Sequence, residues 1–157
     1  MVKTKTCIAT ITLDDASIVR RAKHVEDERR TAIADLIASN HFGPTCVDAG
    51  PYDVFLSARD NRLLIRISSE DLDEPRDVVL PIRPFKPIIK DYFLMCESYF
   101  DALGTAEPHK IEAIDMGRRG IHNEGSELLQ TQLQERIKLD FETARRLFTL
   151  ICVLHIK

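Results

Sequence analysis

The chain has 157 residues and a mass of 17.9 kDa, the usual length of one domain and enough to bury about two thirds of its extended surface in one core. Hydrophobic residues at 44% and charged residues at 30% exclude a disordered or fibrous protein. A net charge of -3 and a pI near 6.0 remove any long-range attraction for nucleic acid or an anionic membrane, and without Trp there is little to stack on single-stranded bases.

Cys7, Ala9, Ile11 and Leu13 alternate with Ile8, Thr10 and Thr12, a period-two pattern that predicts a first strand, stopped by Asp14-Asp15. From about His24 to Asn40, Val25, Arg29, Ala32, Ile33, Leu36 and Ile37 recur at helical spacing. The charged run Glu26-Asp27-Glu28-Arg29-Arg30 reads as that helix's solvated face. Gly43-Pro44 and Gly50-Pro51 bracket a loop. A strand at Tyr52, Val54 and Leu56 follows, then a turn at Arg59-Asp60-Asn61, a strand at Leu63, Ile65 and Ile67, and another at Val78, Leu80 and Ile82. Together they predict an antiparallel meander that the first strand is free to join.

Beyond Pro87 the period becomes 3.6. Ile88, Tyr92, Met95, Cys96, Tyr99 and Leu103 form a broad apolar face, with Tyr92 and Tyr99 as core aromatics whose hydroxyls reach polar partners. Gly104 stops this helix, and Thr105 with Pro108 opens the next. The last helix starts at an Asp140 N-cap with Glu142 in its first turn, and it carries a nearly all-apolar stretch from Leu147 to Ile156. His155 reads as a hydrogen-bonded core residue. The fold class is therefore α+β: one domain with a small, mainly antiparallel sheet of about four strands, covered by four or five helices in a helix-rich C-terminal half.

Cys7, Cys46, Cys96 and Cys152 form no C-x-x-C pair, so reduced thiols are expected. Met1 to Ile11 lacks the form of a secretory signal, and the apolar run Leu150 to Leu154 is too short to span a bilayer, which makes the cytoplasm the expected address.

The densest chemistry lies in Ile114-Asp115-Met116-Gly117-Arg118-Arg119-Gly120-Ile121-His122-Asn123-Glu124-Gly125. Two geometries are open. If the helix from Pro108 runs unbroken to about Arg136, its apolar stripe is Ile111, Ile114, Ile121, Leu128, Leu129 and Leu133. Arg118 then sits in the middle of the stripe and Asp115 and His122 at its edge. Arg118 then needs a partner, because an unpaired buried charge costs several kcal/mol. Gly125 would let a neighbouring helix approach, while Arg119, Asn123 and Glu124 face outward. If instead the helix breaks at Gly117 to Gly120, a new helix N-terminus beside Arg118 and Arg119 makes a pocket for phosphate or carboxylate.

The candidate ligand-binding residues are Asp115, Arg118, Arg119, His122 and Asn123. No cofactor or metal is expected: neither a P-loop nor a dinucleotide fingerprint is present, and His109-x-x-Glu112-x-x-Asp115 drifts around the helix. Ser126, four residues after His122, reads as packing rather than as a catalytic partner.

Asp60-Asn61-Arg62-Leu63, Pro84-Phe85, the run Lys90 to Tyr99, Ile111 to Leu129 and Asp140 to Leu150 together resemble uncharacterised protein family 0262, over almost the whole chain. The resemblance implies a bacterial cytoplasmic protein and brings no activity, cofactor or catalytic residue. The expected function is a non-catalytic binding or regulatory module, with a homodimer left open. Its Gly/Arg-rich segment either orders helices or binds a small anion. The alternative is an enzyme acting on a phosphorylated or carboxylated metabolite, with Arg118 and Arg119 holding the anion and His122 as acid or base. Neither nucleic acid nor membrane is expected as a partner.

Overall fold

The computed structural model describes residues 6–14 and 23–154, with side chains from Val25 onward in the second stretch. Strands β1 (Ile8–Leu13), β3 (Tyr52–Arg59), β4 (Arg62–Ser68) and β5 (Arg76–Pro81) form a sheet in the order β1-β3-β4-β5. β3, β4 and β5 are the antiparallel meander that the alternation predicts, and β1 joins it parallel to β3. Val54, Leu56, Leu63, Ile65, Ile67, Val78 and Leu80 are buried on the single face that meets the helices. On the other face Arg66 holds Asp77, its cross-strand partner, through two hydrogen bonds of 2.8 and 3.1 Å. The β3–β4 turn is closed by Asp60 and Asn61, at φ 52° and 61°, the left-handed pair that a two-residue hairpin demands.

Two features depart from the plain sequence pattern. In β1 the register shifts between Ile8 and Thr10, so Ile8 and Leu13 are buried while Ala9 is exposed. One irregular residue moves the side chains before it to the opposite face. The Gly43-Pro44 loop contains a strand, β2 (Phe42–Pro44), which pairs antiparallel with β6 (Ile137–Leu139). Three residues are too few to show a period, so this ribbon leaves no pattern in the sequence.

The helices are α1 (Lys23–Ala38), α2 (Lys86–Ala102), α3 (Pro108–Leu133) and α4 (Phe141–Leu154), with a 3-10 turn at Arg83–Phe85 ahead of α2. α2 packs on α3, α3 on α4, and α4 on α1. Asp140 caps α4 as expected, accepting the Thr143 N–H at 3.0 Å. From Leu147 to Leu154 every residue of α4 except the half-buried Thr149 is buried, so this helix is central to the core. His155 lies outside the described residues.

α3 runs unbroken through Gly117 and Gly120. Its buried row is His122, Gly125, Ser126, Leu129 and Leu133, while Ile114 and Ile121 are only half-buried. The stripe is thus turned by about one residue from the one the apolar side chains suggest. What turns it is close packing. The Phe148 ring of α4 occupies the space a side chain at position 125 would need, so the glycine there lets α4 approach. Gly117 likewise makes room for Met95, whose terminal methyl would stand 2.6 Å from an added Cβ.

Candidate functional site

Arg118 leaves the inner surface of α3 with 19% of its side chain exposed. Its Nη2 and Nε donate to one oxygen of Asp115 at 2.6 and 3.2 Å, and its Nη1 reaches Glu28 of α1 at 3.4 Å. The guanidinium carbon lies 4.3 Å from the centre of the Tyr99 ring, so Tyr99 serves as a cation-π platform for Arg118 as well as an apolar body. The other Asp115 oxygen accepts from Arg119 Nε at 3.0 Å. Arg118's hydrogen bond, followed by the nearby positive charges, holds the Asp115 carboxyl below its usual range. Burial works against the charge on Arg118, and its hydrogen bond to Asp115 together with the surrounding acidic groups more than offsets it. Arg118 therefore has its counter-charges within the protein.

Glu28 corrects the reading of α1 as carrying one fully solvated charged run. It is half-buried, pairs with Arg118, and accepts the Tyr92 hydroxyl at 3.4 Å. Its position was legible: Glu28 lies three residues after buried Val25 and four before buried Ala32, on the inward edge of the helix. Burial, with Glu28 adding to it, pushes the Tyr92 phenol far above the usual tyrosine range, so it acts as a neutral donor.

His122 is 7% exposed, wedged edge-on between the rings of Tyr92 and Phe148 with centroids 5.2 Å from each. Its Nε2 lies 2.7 Å from the Thr149 hydroxyl, which in turn lies 3.1 Å from the Arg145 carbonyl. A hydroxyl carries one hydrogen. Donating it to the carbonyl leaves Thr149 to accept from Nε2–H, and Nδ1 then presents a bare lone pair between the positive charges of Arg118 and Arg145. This tautomer is assigned from the hydrogen-bond geometry. Burial, then Arg145 and Arg118, depress the His122 pKa to about 4, so the ring is neutral near pH 7. Ser126, fully buried, donates to the His122 backbone carbonyl at 2.8 Å and so packs within the helix, as its spacing suggests.

These groups line one cleft of about 570 Å³, bounded by α1, α3 and α4 with Tyr92 and Phe100 of α2 contributing. Arg118, Arg119 and His122 line it; Asp115 stands behind the two arginines as their shared partner; Asn123 is half-buried and is not part of the lining. The sequence reading missed the α4 contribution of Glu142, Arg145, Arg146 and Thr149, and the α1 contribution of Asp27, Glu28 and Asp35. The signal available in α4 was the pair Arg145-Arg146 on a helix otherwise apolar on nearly all sides.

Arg145 and Arg146 share only Glu142, at 3.5 and 4.0 Å, which is weak pairing. Arg145 Nε is buried and has no hydrogen-bond partner among the described residues, and the same is true of His122 Nδ1. Both residues line the cleft, although these two atoms are themselves shielded from it. Among the described residues no cluster of His, Cys, Asp and Glu is arranged to hold a metal ion, and no helix is long and apolar enough to cross a membrane.

No solved structure matches the chain. A UPF0262 protein of Azorhizobium caulinodans is 53% identical over 154 residues, covering 96% of this chain and 94% of its own. One from Paramagnetospirillum magneticum is 51% identical over 150 residues, covering 96% of both chains, and one from Agrobacterium fabrum is 51% identical over 148 residues, covering 94% of both. The sequence model of this family matches residues 5–157, so the chain belongs to the uncharacterised protein family UPF0262, whose relatives here are bacterial.

Proposed function

We propose that the protein is a small-molecule-binding module whose cleft between α1, α3 and α4 holds an anionic group against Arg145 and Arg146. The observation that carries this reading is the weak pairing of Arg145 and Arg146, which line the cleft and share one carboxylate, Glu142, at 3.5 and 4.0 Å. Two guanidiniums that share one carboxylate at such distances keep donors free for another acceptor. Anionic oxygens accept from the Arg145 and Arg146 guanidiniums. Arg118 belongs to the scaffold in this reading, since Asp115 and Glu28 already balance it. The expectations of a single domain, a cytoplasmic address and no nucleic-acid or membrane partner are kept as parts of the same proposal, and a homodimer stays open.

The enzymatic alternative draws less support. Arg118 and Arg119 both lean on Asp115, and an imidazole with a pKa near 4 is a weak base at neutral pH.

The test is thermal denaturation of the wild type with phosphate and a panel of small carboxylates, against chloride at matched ionic strength. At least one of them should raise Tm specifically, since a ligand that binds only the native state stabilises it by mass action. The double variant Arg145→Gln, Arg146→Gln should lose that response. A flat response across the panel, or an unchanged response in the double variant, rejects the site.

A further inference from the structure

The two walls of the cleft carry opposite charge. α1 brings Asp27, Glu28 and Asp35 to it from one helix face, and α4 brings Arg145 and Arg146. The helices pack against each other, yet among the described residues no ion pair joins them. Arg145 and Arg146 reach only Glu142 on their own helix, Asp27 reaches only Arg30 on its own at 3.8 Å, and Asp35 has no ion-pair partner among the described residues. Across the whole lining, four carboxylates face four guanidiniums, so the formal charges cancel while their positions do not.

We infer that the cleft takes a small zwitterion, a molecule with a carboxylate or phosphate at one end and a protonated amine at the other, its anion on Arg145 and Arg146 and its amine on Asp35. The inference rests on the anion site proposed above and extends it to a class of ligand. A simple anion entering a lining of zero net charge gains from one wall and is repelled by the other. A dipolar molecule set across the cleft gains from both, and electrostatic complementarity of this kind selects one partner over another. The volume, about 570 Å³, is in the range of small-ligand pockets. Asp35 is the amine's carboxylate by elimination, because Glu28 is engaged by Arg118 and Tyr92, Asp27 by Arg30, and Glu142 by Arg145 and Arg146.

Calorimetric titration of the full chain with matched pairs tests this: glutamate beside glutarate, alanine beside propionate, and phosphoethanolamine beside ethyl phosphate. In at least one pair the amine-bearing member should bind about tenfold more tightly than its partner, the discrimination expected of one added charge contact. A preference confined to the carboxylate pairs or to the phosphate pair identifies the anionic group. In Asp35→Asn, a change at an exposed side chain, the two affinities of that pair should converge. Binding of both members with equal affinity in every pair overturns the zwitterion while leaving the anion site standing. A preference that survives Asp35→Asn also overturns it. Binding of neither member in any pair removes this inference, and the melting experiment above then decides separately whether the anion site remains.

Discussion

Arg118 and Arg145 border the same cleft from neighbouring helices, and their surroundings could hardly differ more. Arg118 has two carboxylates and an aromatic ring; Arg145 has one distant carboxylate, shared with Arg146, and a buried Nε with nothing to bond. The comparison teaches that charge density along a sequence marks where ions are, whereas binding capacity lies where ions are left unbalanced in space. The segment richest in glycine and arginine is the one whose arginine is most fully served.

The comparison can be broken first through His122, which stands between the two arginines. Its folded pKa, about 4, lies below the unfolded value of about 6.5, so the unfolded chain binds more protons between those limits. Stability is full above the unfolded pKa and falls as pH drops through that window, by about 3 kcal/mol in all. Denaturant unfolding followed from pH 7.5 to 4 should show this slope, and His122→Asn should flatten it. An identical slope in the variant would mean that His122 is not held neutral by its site.

The next expected effect separates adjacent arginines. Arg118→Ala takes one partner from each of Glu28 and Asp115 and removes the Tyr99 contact, and should cost about 2 kcal/mol of unfolding free energy, below the figure for a fully buried pair. Arg119→Ala, at an exposed side chain, should stay within about 0.5 kcal/mol. Equal effects for the two would remove the distinction between scaffold and surface on α3.

The smallest change concerns the packing that aligns the two helices. Gly125→Ala gains about 1 kcal/mol of helix propensity but pushes against the Phe148 ring, and overpacking typically costs about 1–3 kcal/mol. The net loss should be about 1 kcal/mol in chemical denaturation. A stabilised variant would show that Phe148 yields freely and that α3 and α4 are not held in fixed register at this point.

Much of this architecture was legible because its signals are local. The meander follows from alternation, its turn from Asp60-Asn61, and the start of α4 from Asp140. The candidate site was legible only in part. Helical spacing brought Asp115, Arg118 and His122 together, and it left the helix at Gly117-Gly120 undecided because local propensity cannot weigh Phe148 and Met95 seated against α3. Asp35, Arg145 and Thr149 were out of reach for another reason: their meaning comes from α1 and α4 meeting more than a hundred residues apart, and no period encodes that.

The ribbon of β2 and β6 bears on that meeting. β2 follows α1 by a few residues and β6 directly precedes Asp140 and α4, so three paired residues on each side pin the end of one cleft wall to the beginning of the other. The His41 N–H, donating to the Thr143 hydroxyl at 2.9 Å, tightens the same corner. The walls are thus joined at one end like the arms of tweezers: any widening of the cleft must swing about this corner, and its far end has the greater travel.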